Sequence, residues 1–86
     1  MIKYIAYVDC SNLVKEQFEV GRVIGKMIDV NRWTLLNCTQ DTNFMSHRLT
    51  IGFPTRQEAV DACDAIDDLC IVGLDTYILE VSTELY

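Results

Sequence analysis

The sequence predicts an α+β domain of the ferredoxin-like βαββαβ type, a four-stranded antiparallel sheet with both helices on one face. Apolar residues alternate with period two in four segments and recur with the helical period in two others. The segments follow one another as strand, helix, strand, strand, helix, strand, the split βαβ order. Right-handed crossovers then place the first and third strands in the centre of the sheet. Eighty-six residues, half of them apolar and 23% charged, suffice for one such domain, spanning residues 1–86, and leave no room for a second.

The first strand is residues 2–9, where Ile2, Tyr4, Ala6 and Val8 alternate with Lys3, Ile5, Tyr7 and Asp9. The run Asp9-Cys10-Ser11-Asn12 offers helix-capping side chains. Residues 13–28 read as a helix. Leu13, Val14, Phe18, Gly21, Ile24, Gly25 and Ile28 fall on one side, opposite Lys15, Glu19, Arg22 and Lys26. Glycine weakens a helix by about 1 kcal/mol against alanine, so Gly21 and Gly25 predict a close backbone approach to a neighbour.

Residues 31–39 form the second strand, with Trp33, Leu35 and Leu36 as its apolar content, and Gln40-Asp41-Thr42-Asn43 reads as a turn. In the third strand, residues 44–53, Met45, Leu49, Ile51 and Phe53 alternate with Ser46, Arg48, Thr50 and Gly52 until Pro54 stops it. Thr55-Arg56-Gln57-Glu58 has the form of a capping box. The second helix, residues 56–69, buries Ala59, Ala62, Cys63, Ile66, Leu69 and Cys70. In the last strand, residues 75–83, Tyr77, Leu79 and Val81 alternate with Thr76, Ile78, Glu80 and Ser82.

The longest apolar run is far below the ~18–20 residues of a membrane span, and the start of the chain lacks a secretory signal. A cytoplasmic location with no membrane partner is therefore expected. Cys10, Cys38, Cys63 and Cys70 contain no pair at metal-knuckle or redox spacing, so reduced cysteines acting as small core hydrophobes are expected. No metal and no cofactor are predicted.

Net charge is −6, and its distribution is lopsided. Residues 1–53 hold six basic and five acidic groups, a balance of +1, whereas residues 54–86 hold one basic and eight acidic groups, a balance of −7. On the second helix, Asp61, Asp64 and Asp68 share one stripe, flanked by Glu58 and Asp67. Asp67 and Asp68 lie in the last turn, where the helix dipole disfavours negative charge by ~0.3–1 kcal/mol each. Glu58, Asp61, Asp64, Asp67 and Asp68 are accordingly the candidate docking residues for a basic protein partner.

The open face of the sheet is the second candidate surface, with Ile5, Tyr7, Arg48, Thr50 and Ile78. Its mixture of apolar groups, Tyr and Arg suits an interface, so a homodimer or a subunit of a larger complex is expected. The stretch Leu49-Thr50-Ile51-Gly52-Phe53, followed by Glu58-Ala59 and Ala62, resembles the end of the third strand and the start of the second helix in RNA-recognition domains. That resemblance covers about 20 residues and implies the same topology and single-stranded RNA binding, with Tyr7 as a platform ring. Arg48 and Thr50 stand where those domains carry stacking aromatics, and the net charge opposes phosphate, so no direct nucleic-acid contact is expected.

Catalysis finds little support in the residues. His47 is the only histidine, and no glycine-rich phosphate loop is present. The first strand–helix turn lacks the arginine of acylphosphatases and the cysteine pair of heavy-metal-binding domains. The sequence therefore reads as a small acidic, non-enzymatic regulator or inhibitor, of the kind phages encode, docking through its acidic helix on a basic partner such as a nucleic-acid-binding protein. The alternatives are an RNA-binding module and a small-ligand sensor or enzyme at a dimer cleft.

Overall fold

Antiparallel ladders join the strands of the chain into one sheet of order β2-β3-β1-β4. The computed structural model describes residues 2–11, 17–41 and 46–81. These form β1 (Tyr4–Cys10), α1 (Gln17–Asn31), β2 (Thr34–Asp41), β3 (Ser46–Phe53), α2 (Arg56–Asp67) and β4 (Leu74–Glu80). The order of elements and the central pair β1–β3 are those of the ferredoxin-like arrangement the sequence predicts. Asn12, Leu13, Val14, Lys15, Thr42, Asn43, Phe44, Met45, Ser82 and Thr83, to which the sequence assigns structure, lie outside the described residues, as does the side chain of Phe18.

Period-two alternation sorts the strand residues onto two faces. Ala6 and Val8 of β1 and Ile51 and Phe53 of β3 point at the helices and are almost fully buried. They meet Val20 and Ile24 from α1 and Ala59, Ala62, Cys63 and Ile66 from α2. Ile5, Tyr7, Arg48 and Thr50 fall on the opposite face. β4 corrects one assignment. Its register sets Ile78 opposite Ala6, and Tyr77 and Leu79 opposite Tyr7 and Ile5. Ile78 therefore packs against the core, and Tyr77 and Leu79 belong to the open face. Both alternating sets of β4 contain apolar residues, so its sequence does not fix which one faces inward. Only pairing with β1 does so.

The ends of the helices are set by local chemistry. α1 runs to Asn31, past the expected end at residue 28, and closes in a Schellman motif. Arg32 takes the left-handed conformation at φ 57°. Its N–H donates to Asp29 O and the Trp33 N–H donates to Ile28 O. Gln40 and Asp41, expected in a turn, instead continue β2. At α2 Thr55 caps the helix, and the Glu58 side chain turns back to the cap hydroxyl instead of the backbone N–H of a full capping box: Thr55 Oγ1 accepts from the Glu58 N–H at 3.3 Å and donates to the Glu58 carboxylate at 3.0 Å.

The glycines of α1 are not where backbones meet. Among the described residues, a Cβ built on Gly21 or Gly25 would find no atom within 4 Å. The close approach occurs at Gly52 of β3, where a Cβ would come within 2.7 Å of Ile2 Cδ1 and 3.1 Å of Leu36 Cδ1. Those side chains cross the open face at the site of a register shift between Leu35 and Asn37, and Ile5 beside them is buried.

Candidate functional site

Residue size decides how each helix meets the sheet. α2 presents Ala59 and Ala62, whose small side chains let its backbone lie close against β1, β3 and β4. α1 presents Val20 and Ile24 and makes no comparably close backbone approach to any strand. Between α1 and the sheet an apolar cleft of about 210 Å³ remains, lined by Val8, Cys10, Val20, Gly21, Ile24, His47 and Leu49.

At the adjoining end of the sheet lies a polar cavity of about 430 Å³, lined by Asp9, Cys10, Ser11, Thr39, His47, Arg48 and Asp75. Cys10 and His47 line both spaces. They are direct partners across the β1–β3 ladder, so their side chains leave the sheet on the same, helix-facing side. Burial pushes the Cys10 thiol up from its ordinary range, which keeps it protonated at neutral pH. A protonated thiol beside an imidazole can donate to and orient a polar substituent at the cleft mouth.

Arg48 is fixed on the other face. Its Nε and one terminal nitrogen donate to the two carboxylate oxygens of Asp9 at 2.6 and 2.9 Å. This fork, first among the causes, pushes the guanidinium further up, so it remains cationic. The guanidinium also lies 4.4 Å from the centroid of the Tyr7 ring. The ring that the RNA-recognition resemblance requires as a platform is thus covered from within the chain. Tyr77 and Leu79, at 52% and 50% exposure, are the open aromatic and aliphatic groups of this face.

The five carboxylates proposed from the sequence all lie exposed on α2 or at its end. Three have local partners. Glu58 accepts from the Thr55 hydroxyl at 3.0 Å, Asp61 accepts from Gln57 at 2.8 Å, and Asp67 accepts from the Thr76 hydroxyl at 3.0 Å. The Asp67 contact ties the last turn of α2 to β4, which gives this carboxylate a structural role at an otherwise unfavourable helix end. Among the described residues neither Asp64 nor Asp68 forms an ion pair.

Cys63 is buried, as a core hydrophobe should be, whereas Cys38 and Cys70 are exposed. Among the described residues no cluster of three His, Cys, Asp or Glu side chains suited to a metal ion occurs, and no helix is long and apolar enough to cross a membrane.

No family model matches the chain, and no curated protein matches it. Among solved structures it is similar to a protein from Deinococcus radiodurans described as a putative antibiotic biosynthesis monooxygenase. The TM-score is 0.59 at 12% identity, over 96% of each chain. This likeness shows the fold. It also corrects the reading of the chain as a non-enzymatic regulator or inhibitor that docks on a basic partner through an acidic helix. The whole chain, not a helix surface alone, has its counterpart in a protein named as an enzyme.

The sequence did not bring Cys10, His47, Gly21 and Leu49 together as a site. A usable signal existed for two of them. Antiparallel pairing of the central strands must bring the end of the first strand beside the start of the third, which is where Cys10 and His47 lie.

Proposed function

We propose that the protein is a small-molecule-binding enzyme that takes an apolar compound into the cleft under α1. The observation that carries this reading is the cleft itself. Among the described residues it is lined mainly by Val8, Val20, Ile24 and Leu49, with the polar groups Cys10 and His47 gathered at one end. An apolar lining with a few convergent polar groups is the usual composition of a ligand site. The name of the fold neighbour supports oxygen transfer as the class of reaction. In this reading Val8, Val20, Ile24 and Leu49 hold the body of the substrate, and Cys10 and His47 orient a polar substituent.

The test is a titration with a panel of apolar aromatic and aliphatic compounds, read by amide chemical shifts and by an oxygen electrode. The shifts are expected to cluster at Val8, Cys10, Val20, Ile24, His47 and Leu49, and oxygen uptake is expected with those binders that are themselves oxidisable, the compound giving up the electrons while one oxygen atom enters the product and the other leaves as water. Shifts confined to the open face of the sheet would sink the proposal. Binding in the cleft without oxygen uptake would remove the oxygenase assignment and leave ligand binding standing.

We further propose that the open face meets a second copy of the chain. The half-exposed Tyr77 and Leu79 beside Tyr7 and the buried Ile5 give it the composition of an interface centre. Sedimentation should report a dimer in the unaltered protein and a monomer in Leu79→Lys. A monomer in both removes this proposal without touching the cleft.

A further inference from the structure

We propose that Gly21 sets the breadth of ligand that the cleft admits, an inference that rests on the reading of the cleft as the binding site. Gly21 lies on the cleft side of α1, next to Val20 and one turn from Ile24, with Val8 and Leu49 among the lining on the sheet. Among the described residues, a Cβ at this position would meet no atom within 4 Å. No described residue crowds the position. Nor does a turn or a left-handed backbone require it, since Gly21 sits inside a regular helix. Glycine there weakens the helix by about 1 kcal/mol against alanine. Gly21 is exposed and borders the cleft, so a side chain there would stand at the cleft mouth, and its absence leaves that mouth open.

The open space is enough to matter for selection. An apolar cavity of about 150 Å³ accepts benzene, and the cleft measures about 210 Å³. The ligand we assign is accordingly an apolar compound broader than a single benzene ring, with its widest part beside Gly21. A β-branched side chain at residue 21 has one preferred rotamer in a helix, so its methyl groups would occupy a fixed part of the cleft. One methylene of misfit in a hydrophobic pocket is worth roughly 10–200-fold in discrimination.

The molecule supplies its own control. Gly25, one turn along the same helix, is equally free of described neighbours but is absent from the cleft lining. Any effect of glycine on the helix as such acts at both positions. An effect on ligand breadth acts at Gly21 alone.

The experiment compares toluene and naphthalene as probes of the unaltered protein, Gly21→Val and Gly25→Val. Dissociation constants are read from the amide shifts of Val8 and Leu49, and a melting curve for each variant confirms folding. Naphthalene affinity is expected to fall by roughly tenfold or more in Gly21→Val, while toluene is retained and Gly25→Val binds both probes as the unaltered protein does. Unchanged naphthalene binding in Gly21→Val overturns the inference and leaves the cleft reading intact. Equal losses in Gly21→Val and Gly25→Val, or equal losses of both probes in Gly21→Val, also overturn it. Absence of binding of either probe to the unaltered protein overturns the cleft reading and this inference together. If Gly21→Val does not fold, Gly21→Ala is measured in its place, with the same direction of effect expected and the same outcomes decisive.

Discussion

The two helices cover the same face of the same sheet, and they cover it differently. α2 closes its part with small side chains, and Ala59, Ala62 and Ile66 are almost wholly removed from solvent. α1 lies over its part on Val20 and Ile24 and leaves the apolar cleft. The α2 side is core in the ordinary sense, where each methyl group has neighbours on every side. The α1 side is a wall with room behind it. One sheet face can thus supply stability at one end and a binding volume at the other, with the division set by residue size on two helices.

If that contrast is real, truncations should be felt unequally. Ile66→Ala, at a position 1% exposed in the closely packed half, should lower stability by about 2–5 kcal/mol. Val20→Ala borders existing empty space, so it should lose little beyond the transfer free energy of its methyl groups, about 1.5 kcal/mol or less. Chemical denaturation of both variants measures this directly. Equal costs would mean that the cleft is filled in solution and that the contrast fails.

Enlargement sharpens the same comparison in the opposite direction. Ala59 is fully buried, so Ala59→Leu forces extra atoms into packed space and should cost about 1–3 kcal/mol. Gly21→Ala adds an atom where no described residue lies within 4 Å and removes the helix penalty of glycine, so it should be neutral or raise stability by up to about 1 kcal/mol. Destabilisation by Gly21→Ala would show that α1 sits closer to the sheet than described here.

How far the sequence reaches can be judged from particular residues. Periodicity in Ala6-to-Val8, Leu49-to-Phe53 and Ala59-to-Ile66 locates the core because burial on one face leaves a period in the chain. The helix cap at Thr55 is legible for the same reason: it is a local arrangement of four residues. The facing of Ile78 is not legible, since β4 is apolar on both faces and its register comes from β1. The cleft is less legible still. It is a distance between elements, and Gly21 looks the same in sequence whether a backbone or a void lies beside it. The charge of the acidic stripe is visible in sequence, whereas the contact of Asp67 with Thr76 on β4 becomes evident only in the fold.

The smallest expected effect tests whether the contrast is one of packing alone. Each helix is followed by a non-glycine residue in the left-handed conformation, Arg32 after α1 at φ 57° and Cys70 after α2 at φ 54°. Both are exposed, so their strain comes from the contact of Cβ with the backbone and not from neighbours. Arg32→Gly and Cys70→Gly should therefore each raise stability by about 0.5–1 kcal/mol, a few degrees in Tm for a domain of this size. The two gains should be equal, because a local backbone penalty is blind to how tightly the helix packs on the sheet. A much larger gain at Arg32 than at Cys70 would mean that the Schellman end of α1 transmits strain into the helix. Part of the stand-off of α1 would then arise from how that helix terminates, and side-chain size would no longer account for all of the cleft.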